Sequence, residues 1–133
     1  MIGNTDWSVP IKHNVIVFSQ GFSENPNLGA KVPYDFDYSG LINADYAVPF
    51  EGLKLKSVLE RRYLGLCRSQ DIYTTALKEF SDKKEELIKV VNDFPYLNAR
   101  TKKEMIMYLE SFFDDINKRN SLVNKLRFEC IDF

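Results

Sequence analysis

The feature that most restricts how this chain can fold lies late in it: Met105, Ile106, Leu109, Phe112, Phe113 and Ile116 recur at the spacing of one helix face. A helix striped in this way must lay its apolar face on other elements, because its own turns cannot cover it. The upstream sequence offers partners of the same kind. Ser57 is placed to cap a helix carrying Val58, Leu59, Arg62, Tyr63 and Leu66. Ser69 is placed to cap a second, through Ile72, Tyr73, Ala76, Leu77 and Phe80. Ser81 opens a third, with Leu87, Ile88, Val91 and Phe94 on one face and Asp82, Lys83, Glu85 and Glu86 outside, and Pro95 stops it. Asn98 or Thr101 starts the striped helix, Thr101 and Glu104 having the spacing of a capping box. A last helix is expected over 121–128.

The first part of the chain has a different pattern. Residues 14–19, Asn-Val-Ile-Val-Phe-Ser, are β-branched and aromatic and predict a short strand. Two Gly, one Pro and two Asn in 20–29 predict a loop. An extended pattern resumes over 30–38, so 14–38 reads as a long-looped hairpin. No period is sustained over 39–56, which reads as a long ordered loop pinned by Leu41, Ile42, Tyr46, Val48 and Phe50. The expected class is therefore α+β: an N-terminal β-hairpin and long ordered loop packed on a bundle of four to five helices. The 133 residues suit a single domain, with 1–56 its β-rich segment and 57–133 its helical one.

Composition narrows the function classes. A formal net charge of -1 with scattered Lys and Arg argues against a nucleic-acid surface or a polybasic membrane patch. No apolar run approaches the ~18 residues of a membrane span, and the first residues lack the basic and apolar regions of a signal peptide. With Met1 as the true start, a cytoplasmic protein is expected. Cys67 and Cys130 stand far apart in no ligand-like spacing, and they read as two buried free thiols.

Chemistry concentrates in Val32-Pro33-Tyr34-Asp35-Phe36-Asp37-Tyr38-Ser39-Gly40, where aromatics and carboxylates alternate. In a strand, Tyr34, Phe36 and Tyr38 would share the packed face and leave Asp35 and Asp37 together on the other, roughly 7 Å apart. Two such carboxylates suit Mg²⁺ or Mn²⁺, hard cations that keep waters and bind substrate phosphates. An edge strand with a solvated outer face would show the same alternation. A second cluster, Gly3-Asn4-Thr5-Asp6-Trp7-Ser8 with Lys12-His13-Asn14, holds turn formers, an Asp and the chain's single His directly before the first strand. Trp7 reads as a core anchor. Phosphoryl transfer needs a carboxylate to orient or deprotonate the attacking group, and an Asn and an Asp to hold the metal. Protein kinases order these as H-R-D-x-x-x-x-N and then D-F-G. Here an Asp, an Asn at a strand entrance, a hairpin and Asp-Phe-Asp come in the same order. That order assigns Asp6 as base and orienter and Asn14 and Asp35 as metal ligands, with Asp37 as an additional one. His13, Lys12 and Arg61 are candidates for holding phosphate.

Met1-Ile-Gly-Asn-Thr-Asp-Trp-Ser, Lys12-His-Asn, Val32-Pro-Tyr-Asp-Phe-Asp-Tyr-Ser-Gly-Leu, Asn43-Ala-Asp-Tyr-Ala-Val-Pro and Glu60-Arg-Arg-Tyr-Leu-Gly-Leu-Cys-Arg resemble the closing portion of a group of uncharacterised bacterial proteins. These in turn resemble atypical kinases of the CotH and HipA-like groups. The resemblance implies a kinase C-lobe-like fold, Mg²⁺, ATP, and a parent fold whose N-terminal lobe is a missing partner. A homodimer would be the alternative way to cover that lobe's face. The chain departs from the kinase pattern in three ways. Seven residues separate Asp6 from Asn14, Asp-Phe-Asp lacks the glycine of D-F-G, and there is no Gly-rich phosphate loop followed by a strand-borne Lys. A phosphotransferase lobe inactive by itself is the consequent expectation. Two other readings compete with it. One is a non-catalytic helical assembly module; the other is a metal-dependent hydrolase using Asp6, His13, Asp35 and Asp37 with Zn²⁺ or Mn²⁺.

Overall fold

The periodic second half forms four helices in a computed structural model that describes residues 1–7, 13–18, 30–118 and 121–132. They are α1 (Gln70–Asp82), α2 (Lys84–Asp93), α3 (Ala99–Asn117) and α4 (Ser121–Glu129). The described residues divide into two compact units, Gly3–Gly65 and Leu66–Phe133 with Met1–Ile2. The class is α+β, a two-stranded antiparallel hairpin near the N-terminus followed by a helical bundle. No helix among the described residues is long and apolar enough to cross a membrane.

The bundle is organised by α3, which packs on each of the other three helices. Leu109, Phe112 and Phe113 of its stripe are buried, as are Tyr73 and Leu77 of α1, Val91 of α2 and Val123 of α4. Phe112 meets Phe80 and Phe113 edge to face, at centroid separations of 5.6 and 5.5 Å, and the Lys84 ammonium lies 5.5 Å from the centre of the Phe113 ring. Each fully buried side chain of this size contributes about 1.5–3 kcal/mol. The surface pairs, such as Lys78–Asp82 and Lys118–Asp115, are exposed and add little.

Helix boundaries depart from expectation at three places. No helix forms over 57–66: Val58 is buried, yet Leu59 is exposed and the segment is turns. About ten residues ending near Gly65 are too few to repay helix nucleation alone. Ser81 lies inside α1 and opens nothing; the chain breaks at Lys83, whose N–H still donates to the carbonyls of Glu79 and Phe80. Asn98, not Thr101, caps α3. Its side-chain oxygen accepts the Thr101 N–H at 2.9 Å, and Glu104 pairs with Arg100 instead of closing a capping box. Asn98→Ala should cost about 1 kcal/mol and lower the melting temperature by about 4 °C, read by circular dichroism. An unchanged melting curve would show that α3 starts without its cap.

The cysteines are not free thiols. Cys67, three residues before α1, is bonded to Cys130, directly after α4, with a Cα–Cα distance of 4.8 Å. Alongside, Leu66 and Ile131 form a parallel bridge, and the Cys67 N–H donates to the Ile131 carbonyl at 3.1 Å. Closing a loop of 63 residues restricts the unfolded chain by about 4 kcal/mol.

In the Gly3–Gly65 unit, β1 (Val15–Phe18) pairs antiparallel with β2 (Ala30–Pro33), in the register Val15↔Pro33 to Phe18↔Ala30. The expected loop between them, 20–29, and Ser19 lie outside the described residues. β2 stops at Pro33, so the 30–38 alternation is not realised as one strand, and Tyr34 and Phe36 are exposed rather than sharing a packed face. Of the side chains expected to pin the 39–56 segment, Leu41 is half-buried and Tyr46, though exposed, stands edge to face with Tyr38, whereas Ile42, Val48 and Phe50 are exposed. Backbone bonds tie the segment further. Ser39 is fully buried, its carbonyl accepts from Ile42 and Asn43, and a 3₁₀ turn forms at Glu51–Leu53.

Candidate functional site

Hairpin pairing puts chemistry at the open end of the two strands. The Val15↔Pro33 pair sets Asn14 across from Tyr34, and the Tyr34 N–H donates to the Asn14 carbonyl at 3.0 Å. Asp35 is the next residue. Asn14 (φ 51°) and Asp35 (φ 56°) both occupy the left-handed region, which Asn and Asp tolerate better than other residues with a Cβ. Strained positions of this kind gather where function demands a particular side-chain direction. The left-handed Asp35 also explains why strict alternation fails there.

The N-terminal turn closes on the same end. Asn4 and Ser39 form an antiparallel bridge, the Gly40 N–H donates to the Gly3 carbonyl, and the Thr5 hydroxyl donates to the Tyr38 carbonyl at 3.3 Å. Asn4 works in both directions. Its Oδ1 accepts the Asp6 N–H at 2.8 Å, and its amide donates to the Asp35 carbonyl at 3.2 Å. Asp6 is thereby delivered to Asn14, whose Nδ2 donates to the Asp6 carboxylate at 2.9 Å and to its carbonyl at 3.1 Å. Both of these contacts use the same amide nitrogen, so Asp6 fixes the orientation of the Asn14 carboxamide.

Asp35 and Asp37, two residues apart at this junction, interact with each other, and their pKa values move in opposite directions. The Asp37 carboxylate, by accepting from Asp35 and repelling its charge, raises the Asp35 pKa, and Asp6 adds a smaller push in the same direction. Asp37 is lowered, first by the Asp35 hydrogen bond and further by donors from Tyr46 and the Tyr38 N–H. The Tyr46 hydroxyl lies 2.9 Å from Asp37 Oδ2, and this bond raises the phenol's own pKa.

Four residues singled out in the sequence thus gather here: Asp6 with Asn14, and Asp35 with Asp37. His13 joins them in a supporting position, its Nδ1–H donating to the Asp6 carbonyl at 2.8 Å, with Asp6 Oδ1 at 3.4 Å. Arg61 is half-buried and already engaged in contacts of its own. Lys12 lies outside the described residues. Trp7 is half-buried, its indole nitrogen shielded and without a partner among the described residues. Sequence reasoning gave Asn4 only as a turn former and Tyr46 only as a loop pin, not as parts of the site. Asn4 carries a local signal, the Asx turn of Asn-x-Asp; Tyr46, nine residues from Asp37, carries none.

As a donor set the junction is oxygen-rich and suits a hard cation. No group of three or more His, Cys, Asp or Glu side chains among the described residues is placed to hold a metal. A Zn²⁺ cage of the kind a hydrolase would need is therefore not formed by these residues. Mg²⁺ asks less, binding through one or two carboxylates together with waters and phosphate oxygens, and a carboxylate pair beside a carboxamide matches that demand. No protein-family model matches this chain, no curated protein is similar to it, and no solved structure matches it.

Proposed function

We propose that the Gly3–Gly65 unit binds a divalent cation, Mg²⁺ in the first instance, and that its chemistry is kinase-like phosphoryl transfer from a Mg-nucleotide. One observation carries the reading: Asp6, Asn14, Asp35 and Asp37, singled out by their order along the chain, meet at the open end of one hairpin. Asp35, Asp37 and the Asn14 oxygen are the cation's ligands. When bound, the cation neutralises phosphate charge. Asp6 is held by Asn14 and Asn4 so that its carboxylate can orient an acceptor hydroxyl and take its proton. His13, through the Asp6 carbonyl, fixes the turn that presents this carboxylate.

Calorimetric titration of the chain with MgCl₂ and MnCl₂, with and without ATP, tests the proposal. The expected result is a saturable heat in the millimolar range or tighter, ATP binding only when the cation is present, and loss of both in Asp35→Asn. A wild-type titration indistinguishable from buffer, or one unaltered by Asp35→Asn, would overturn it.

One observation favours a second reading, a non-catalytic assembly module. Tyr46, Val48 and Phe50 are 64%, 67% and 71% exposed within five residues, more apolar side chain than a short solvated loop usually presents. This reading expects concentration-dependent self-association by analytical ultracentrifugation, suppressed in Val48→Ser/Phe50→Ser, and no metal-dependent heat.

A further inference from the structure

The disulfide occupies an unusual place in the helical unit. It joins the residue run leading into α1 to the run leaving α4, so the ring it closes contains all four helices. The helices contribute unequally to the buried core. α1, α2 and α3 hold six of the unit's buried apolar side chains, Tyr73, Leu77, Val91, Leu109, Phe112 and Phe113, and they are joined in sequence by short connections. α4 is nine residues long and buries Val123, with Leu122 and Leu126 half-buried and Phe128 left 87% exposed. One buried side chain is little to set against the entropy of ordering nine residues and the tail beyond them. That tail is held at the bond itself, by the Leu66–Ile131 bridge and the Cys67 N–H to Ile131 carbonyl hydrogen bond. Both sulfur-bearing residues are partly exposed, within reach of a small dithiol.

We infer that Cys67–Cys130 is a redox-operated clasp: its reduction frees α4 and residues 130–132 while α1, α2 and α3 stay folded. A thiolate of a dithiol reductant attacks one sulfur, forming a mixed disulfide and releasing the other as thiolate. The reductant's second thiol then displaces the protein, leaving two cysteine thiols and a cyclic disulfide of the reductant. Two electrons and two protons pass to the protein, and re-oxidation by a disulfide of the same class reverses the exchange. The clasp operates in the Leu66–Phe133 unit and is independent of the cation site, so either can fail without the other.

Hydrogen exchange by mass spectrometry on the full chain, before and after dithiothreitol, tests the inference. Reduction should speed exchange of the 122–131 amides about tenfold or more, while the amides of α3 around Leu109 and Phe113 keep their protection. The Cys67→Ser/Cys130→Ser variant should show the fast pattern without reductant and no response to it. Three results would overturn the clasp: unchanged protection of α4 on reduction, simultaneous loss of protection from all four helices, or two free thiols titrated in the denatured, never-reduced chain.

Discussion

Phe112→Ala should destabilise the helical unit by about 3–5 kcal/mol, among the largest effects expected of a single substitution in this chain. Phe112 is 6% exposed and stands edge to face with Phe80 from α1 and Phe113 from its own helix. Truncation removes the transfer energy of a phenyl ring and two aromatic contacts of about 0.5–1.5 kcal/mol each, and it leaves a void where α3 meets α1. The surrounding side chains cannot collapse into that void without drawing the helices together. For a domain stable by about 5–15 kcal/mol, this is a large share of the total. With an m-value of about 2 kcal/mol/M, the urea midpoint should fall by about 2 M. Phe128→Ala, on an 87% exposed ring of α4, is the control and should move the midpoint by no more than about 0.3 M. Equal small shifts from both would mean that α3 does not centre the core.

The legible parts of this fold are those where a local pattern and its tertiary role agree. The stripe from Met105 to Ile116 is periodic over three turns and becomes the inner face of α3, its ends half-buried and its centre buried. The β-branched run before Phe18 becomes β1. The rest was decided at a distance. Ser57 and Ser81 have the chemistry of caps, yet packing carries α1 straight through Ser81 and leaves 57–66 without a helix, and nothing like a Gly or Pro marks the break at Lys83. The pairing of Cys67 with Cys130 is a consequence of where α4 ends, and a spacing of 63 residues conveys nothing of it. At the candidate site the residue types were legible through their order, Asp6, Asn14, then Asp-Phe-Asp. Their geometry was not, because it depends on left-handed backbone at Asn14 and Asp35, which turns the expected strand into a junction. The two carboxylates meet there all the same, by a turn instead of by the pleat.

That meeting makes the strongest electrostatic prediction. Because Asp37 raises Asp35 while Asp35 and Tyr46 lower Asp37, the pair takes up its first proton above the ordinary carboxylate value of about 3.9. The two shifts bear on stability in opposite senses. Asp35, raised on folding, contributes stability that is present below its unfolded pKa and lost as pH rises through its folded one. Asp37, lowered on folding, contributes stability that is present above its unfolded pKa and lost as pH falls through its folded one. Both side chains face water, so the net change in stability is small, and titration is the better readout. A cation at this pair competes with the proton for Asp35. Mg²⁺ affinity should therefore fall as pH drops through the raised Asp35 value, with proton release visible as a buffer-dependent binding enthalpy. Asp37→Asn removes the cause of the Asp35 shift together with one ligand charge. By carbon-13 carboxyl NMR, Asp35 should return to the ordinary range, and cation affinity should drop at least about tenfold. Tyr46→Phe keeps both carboxylates and removes one donor, so Asp37 should titrate higher than in the wild type while Asp35 remains raised. An Asp35 resonance that keeps its elevated midpoint in Asp37→Asn would mean that the two carboxylates do not share a proton, and the ligand pair at the centre of the proposed site would be lost with it.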